Sequence, residues 1–361
     1  MEKIKQIFKT LLLITALLAF SSCDKDDDFG EQHDEQSQYA HVPGLFIISE
    51  GNYSFGNGSL AFYDPLKRKV DNEIFYAANN RPLGDVPFQA EIFGDQMWIT
   101  VNNSGKVEVM NLESMKSVAT WDNLGSPRHL NKINEDLVFV SDLESADMKI
   151  LNPDNDNQHH TMDAGKSTEA MLYDGHYLFA CNWSNFYVSK PNNTITVINT
   201  AAKKVVTTIE VAKEPNSMVA DKNGYIWVLS SGGYDNSEYP ALSVIDPVQL
   251  IVSREIRFDS KNASPNNLCI SPNGDSLYFI NRDIYAISIT DTALPSQEFI
   301  RTGNRAVTSL AVDPQNGDVY FGNAVDYQQK GWVLRYNPYS KTMTDSFRVG
   351  IIPGAMRFYK P

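Results

Sequence analysis

The sequence predicts an all-β fold, a seven-bladed β-propeller closed by its own C-terminal strand. Three observations carry that expectation. A strand-and-turn phrase, legible in TITVINTAAKKVVTTIEVAKEPNSMVADKNG at 194–224, recurs along the chain. Its copies are spaced as four-stranded units are. The two ends of the chain carry complementary fragments of one unit.

The phrase itself is strand chemistry. Ile195, Val197, Ile198, Val205, Val206 and Ile209 are β-branched and suit pleated, packed strands. A short polar turn separates the first two runs, and Asp221-Lys222-Asn223-Gly224 gives the turn before the third, Tyr225 to Leu229. Nothing in the stretch has a helical period.

Taken from the N-terminus, the chain divides into three parts. Residues 1–22 read as a secretory signal: Lys3, Lys5 and Lys9 precede an apolar run from Leu11 to Phe20 that is too short to span a bilayer. Phe20-Ser21-Ser22-Cys23 resembles a bacterial lipobox, which makes Cys23 the expected lipidation site and a lipid anchor the expected membrane contact. Residues 23–41 form an acidic tether, opening Asp24-Lys25-Asp26-Asp27-Asp28 and poor in apolar side chains. That run resembles the surface-export signal of lipoproteins in some anaerobic Gram-negative bacteria, which implies an outer-membrane protein facing the exterior. Residues 42–361 are the propeller.

The repeats align on the residue that opens the innermost strand: Pro87, Pro127, Ser167, Pro215, Pro265, Val307 and Pro353. The intervals are 40, 40, 48, 50, 42 and 46 residues. The last copy, PGAMRFYKP, holds a single strand, while the opening run Leu45 to Glu50 matches a second strand. The C-terminal strand is therefore expected to complete the first blade and leave no open edge. An open solenoid would not need such matching halves.

In a four-stranded meander the second-to-third and fourth-to-first connections share one face. The opposite turns are brief, as in Asp221–Gly224 and Asp313 to Gly317. The second-to-third loops at 50–59, 181–193, 231–241 and 323–331 are long. Long loops on a rigid scaffold carry function. They hold Tyr53, Phe55, Trp183, Phe186, Tyr187, Tyr234, Tyr239 and Tyr327 among Asn, Ser and Gly, a composition suited to a sizeable organic ligand. A second candidate set lies two residues after each landmark, at the mouth of the central channel. It comprises Gln89, His129, Glu169, Ser217, Asn267, Ser309 and Ala355, with Arg128 beside His129.

Other chemistry is excluded or weak. A formal charge of −13, made more negative by loss of the signal, opposes nucleic-acid binding, and no basic face is present. Cys181 and Cys269 fall in different repeats and read as reduced thiols. His159-His160 is adjacent rather than spaced for one metal, and is expected in a turn on the opposite face. Asn152 to Asn157 starts like a calcium loop but lacks its Gly and distal Glu. No nucleophile elbow or Walker loop appears, so no enzyme activity, metal or cofactor is expected. Asp275-Ser276-Leu277 and Asp291-Thr292-Ala293 resemble bacterial O-glycosylation acceptors.

The repeat phrase is similar to that of the YVTN/YncE-like surface propellers, over nearly all of residues 42–361. LFIISEGNYSFGNGSLAFYDP resembles the first blade of related surface lipoproteins, including the BtuG family. That resemblance implies a binding protein that captures a nutrient, cobalamin or another corrinoid, for a TonB-dependent outer-membrane transporter. The alternatives are a channel-metal lactonase- or lyase-like enzyme, and a glycan- or protein-adhesion module on the same face.

Overall fold

A computed structural model describes residues 38–153 and 159–361. The signal, Cys23, the tether up to Ser37, and most of the calcium-loop-like run lie outside the described residues. Among the described residues no helix is long and apolar enough to cross a membrane.

Seven antiparallel sheets follow one another around an axis, six with four strands and one with three. The first blade is built from both ends of the chain. Its second strand, Gly44–Ser49, pairs with Ser59–Asp64 on one side and with the C-terminal strand Pro353–Tyr359 on the other. The register runs from Gly44 opposite Tyr359 to Ser49 opposite Pro353, as the complementary ends required.

The second blade comprises Pro87–Phe93, Gln96–Val101, Lys106–Asn111 and Ser117–Trp121. The innermost strands of blades three, five and seven begin at Pro127, Pro215 and Val307, on the expected landmarks. Two blades depart from the pattern. In blade four the regular inner strand is only Met171–Tyr173, although the Glu169 N–H still donates to the Cys181 carbonyl at 2.9 Å. Blade six has three strands, and Ile300 makes a lone bridge to Ile284 where a fourth would run.

Alternating strand positions fill the spaces between blades. Phe179, Ile195 and Val197 of blade four pack with Met218, Ile226 and Val228 of blade five. Leu45, Ile47 and Tyr63 of blade one meet Tyr320, Val333 and Phe347 of blade seven, so the joint at closure is as apolar as the others. Each such fully buried side chain stabilises the fold by about 1.5–3 kcal/mol. A short helix, Ile74–Asn79, lies in the crossover from blade one to blade two and buries Ile74 and Phe75 in the joint there. It has no counterpart in the repeat phrase.

Two sequence expectations are corrected or refined here. His159 and His160 lie in a strand, His159–Asp163, at the outer edge of blade three and not in a turn. Pairing with Leu151 and Ile150 holds them there. Cys181 and Cys269 are free thiols, Cys181 buried and Cys269 donating to the Leu310 carbonyl at 3.1 Å.

Candidate functional site

The inner strands share a local irregularity that positions the site. In blade two, Pro87 faces Val101 and Gln89 faces Thr100, which leaves Phe88 extra. The same two-for-one step leaves Asn216 extra in blade five, Thr308 in blade seven and Gly354 in blade one. In blades three and six, Arg128-His129 and Asn267-Leu268 span the step. A β-bulge re-aims a side chain that a regular strand would turn away. Here it brings two successive residues of a blade to the channel mouth instead of one.

The backbone ahead of the bulge is also unusual. Val86, Glu214 and Ile352, each followed by proline, have φ of 55°, 56° and 53°. A residue before proline favours extended backbone, and a β-branched residue at positive φ is costly. Such strain persists where surrounding structure holds it, commonly at functional sites.

Several ring side chains have a structural task. Gln89 Oε1 accepts the Leu130 N–H at 2.7 Å, and Ser217 Oγ accepts the Leu268 N–H at 3.0 Å. Ser309 donates to the Pro353 carbonyl at 2.6 Å, and Asn216 to the Pro265 carbonyl at 2.9 Å. Each bond clasps one blade to the next and satisfies a backbone group at the mouth. Polar residues here serve the ring as well as any ligand.

Arg128 is the charged centre. Its Nε lies 2.9 and 3.0 Å from the two Glu169 oxygens, and its Nη2 2.7 Å from Oε1. Its guanidinium stacks 3.4 Å from the Phe88 ring centroid. His129 makes an edge contact with the same ring at 5.3 Å, and its Nε2 is 3.8 Å from Glu169, too far for a direct hydrogen bond. Burial would raise the Glu169 pKa, but the Arg128 charge and the donors around it hold it down at about 2. Deeper in the channel, Glu91 pairs with Arg357 at 2.6 Å and accepts from Gln89 at 3.0 Å. Burial pushes Glu91 up, and Arg357 offsets this only in part.

Phe88, Arg128, His129 and Glu169 floor a cavity of about 560 Å³ at the mouth. Of the sequence candidates, Gln89, Arg128, His129, Glu169, Trp183, Tyr234 and Asn267 line it together. Ser217, Ser309 and Ala355 of the candidate ring line it as well, and the remaining loop aromatics stand elsewhere. Phe186 and Tyr187 project above the rim, with Phe186 5.6 Å from the Tyr234 ring. Tyr53 and Phe55 are exposed on the blade-one loop, and Tyr327 on the blade-seven loop, whose carbonyl accepts the Asn52 amide at 2.6 Å. Tyr239 lies in a separate cavity with Arg257 and Lys261. Sequence reasoning missed Phe88, Met356 and Glu214, which also line the mouth. Phe88 follows its landmark proline directly, and only the bulge turns it inward. Among the described residues no group of three His, Cys, Asp or Glu side chains is placed to hold a metal ion.

Residues 43–346 match the family model described as "Domain of unknown function (DUF5074)". No curated protein matches the chain. Solved structures with a similar fold include a quinonprotein alcohol dehydrogenase-like protein from Bacteroides thetaiotaomicron. It is 14% identical with a TM-score of 0.66, over 87% of this chain and 78% of that one. The periplasmic gluconolactonase of Pseudomonas aeruginosa is 13% identical with a TM-score of 0.63, over 88% and 99%. Apo AztD from Citrobacter koseri is 12% identical with a TM-score of 0.55, over 88% and 98%. At such identities the likeness is one of fold alone.

Proposed function

The chain belongs to the DUF5074 family, and from that premise we propose that it is a ligand-binding propeller. The observation that supports this is the mouth cavity: a polar floor with fixed charges, an aromatic wall from Trp183 and Tyr234, and a volume of about 560 Å³. Sites for small organic molecules span about 300–1,000 Å³ and combine apolar walls with a few fixed polar groups. Phe186 and Tyr187 above the rim extend the aromatic surface beyond what the cavity encloses. A flat ligand larger than the cavity can seat one edge on the floor and lie against these rings. The sequence resemblance makes a corrinoid the first ligand to try. On the same reading the protein is a lipoprotein, anchored through Cys23 at the outer membrane, that delivers its ligand to a TonB-dependent transporter.

The enzyme alternative would assign acid–base work to Glu169 and His129. A general base works best with a pKa near the operating pH. Glu169, held at about 2 and committed to Arg128, is a poor base at neutrality.

Isothermal titration with cyanocobalamin tests the reading. Saturable one-to-one binding is expected, and Trp183→Ala should weaken it by about 2 kcal/mol if the indole is a central anchor. Asn223→Ala, in an exposed turn of the opposite face, should leave affinity unchanged. Equal losses from both substitutions would remove the mouth as the site. No heat with any corrinoid would remove that ligand class.

A further inference from the structure

In five blades an inner-strand side chain reaches the ring at the bulge, but the bulge of blade one offers Gly354. Its neighbour there comes from another strand. A side chain added at Gly354 would collide with the carboxyl group of Glu50. Gly354 lines the mouth cavity, and the Glu50 carboxyl lies directly against it, at the edge of the sector the ring leaves blank.

The backbone fixes it there. The Glu50 N–H donates to the Ile352 carbonyl at 2.9 Å. Equivalent bonds join Asn102 to Val86 at 2.8 Å, Ser231 to Glu214 at 3.0 Å and Ala324 to Ala306 at 2.8 Å. At two of these equivalent positions the side chain is committed. Asn102 donates to Ser126 Oγ at 2.8 Å, and Ser231 donates to Glu214 at 2.9 Å. The Glu50 carboxylate makes no hydrogen bond to any described residue.

Charge accounting around the cavity leaves a surplus of one sign. Arg128 is matched by Glu169, and Arg357 by Glu91. Glu214 accepts from Ser231 and from the Tyr234 N–H but pairs with no cation among the described residues. Glu50 feels Arg128 only at a distance, and burial keeps its pKa raised against that attraction. A half-buried carboxylate that keeps only part of its water and gains no donor is disfavoured, and a ligand that supplies the donor recovers that cost.

We propose that Glu50 sets the ligand class of the mouth: it receives a protonated amine or an amide N–H, and the cavity rejects anions. This rests on the ligand-binding reading above and narrows it. Amine and amide groups satisfy Glu50 without competing for Arg128, whose guanidinium is already held by Glu169. A carboxylate or phosphate would meet two unmatched negative charges and no free cation on the floor.

The test uses three probes with one aromatic body: phenethylamine, 2-phenylethanol and phenylacetate, titrated into the propeller at pH 7 and low salt by ligand-observed NMR. The amine is expected to bind at least tenfold more tightly than the acid, with the alcohol between them. Glu50→Gln should narrow the amine-to-acid ratio to threefold or less and leave the alcohol unaffected, which separates Glu50 from the acidic surface as a whole. An acid that binds as well as the amine to the parent protein overturns the proposal while the mouth remains a binding site. A ratio unchanged by Glu50→Gln in a folded variant overturns it too. Failure of all three probes to bind overturns this inference, while the cyanocobalamin titration decides the ligand-binding reading separately. The order seen with the parent protein decides the sign, so refutation does not depend on how well the variant folds.

Discussion

The two faces of the propeller are built from the same strands and finished in opposite ways. On the face away from the cavity, most third strands end in Asp or Asn whose side chain closes the next turn. Asp64 Oδ1 accepts the Leu66 and Lys67 N–H groups, and Asn111 Oδ1 those of Glu113 and Ser114. Asp246 and Asn337 repeat the arrangement. These side chains replace backbone partners that the turn residues lack. On the cavity face that arrangement is the exception, as at Asp142, whose Oδ1 accepts the Glu144 and Ser145 N–H groups. In several blades the chain there is long, carries exposed aromatics, and passes through left-handed residues before proline. One face keeps a period because it serves the fold; the other is released from it.

That contrast can be broken at several levels. The largest effect is expected from deleting residues 353–361, which removes the strand both faces depend on. It would unpair Gly44–Ser49 and open the joint packed around Tyr63 and Phe347. Aggregation or a large fall in melting temperature is expected, and a truncated protein that melts like the parent would refute closure.

Next comes Glu169→Ala, which leaves Arg128 buried without its partner. Breaking a buried pair costs about 3–5 kcal/mol. Denaturant unfolding should register that loss. Acid probes the same pair without mutation. The Glu169 pKa lies below its ordinary value, so its contribution to stability is complete above about pH 4.5 and is lost as pH falls toward 2. Glu50, with its pKa raised, acts in the opposite sense, its charge being a cost that protonation relieves. Melting temperature followed from pH 5 to 3 should therefore fall more steeply in the parent than in Glu169→Gln.

Asp246→Ala, on the turn face, should cost about 1 kcal/mol by leaving the Val248 and Gln249 N–H groups to water, and should not touch ligand affinity. The smallest effect belongs to Phe186→Ala on the rim, where exposed substitutions stay within about 0.5 kcal/mol of neutral. Its consequence should appear in binding alone. A rim substitution that destabilised as much as Asp246→Ala would erase the distinction between the faces.

The fold was legible because its signals are local. Proline at the start of inner strands, β-branched runs and Asp or Asn at turns repeat within each blade. Closure was legible because the fragment at each end lacks what the other holds. Blade four shows the limit: Ser167 marks the right place, yet the regular strand starts only at Met171. The short helix Ile74–Asn79 escaped because nothing in the repeat asks for it.

The site was half legible. Gln89, His129, Glu169 and Asn267 were found by counting from the landmark, since equivalent positions of a ring face one axis. Counting could not find Phe88, because its inward turn depends on a bulge and not on strand alternation. Nor could it find Glu50, which reaches the mouth from a second strand and lies against Gly354 near the other end of the chain. The aromatic loops were read correctly as neighbours on a face, but only Trp183 and Tyr234 descend to the cavity.

The bulge at the head of six of the inner strands has a further consequence for how such a molecule diversifies. A regular strand would give every blade one inward side chain at that level, with its neighbour fixed in the joint between blades. The extra residue frees that neighbour from the joint. Two adjacent codons then specify one sector of the mouth, and one of the pair can stay as the clasp while the other is rewritten. Phe88 beside Gln89 is such a pair, Gln89 being the clasp. New specificities can therefore arise sector by sector, without disturbing the packing that keeps the ring shut.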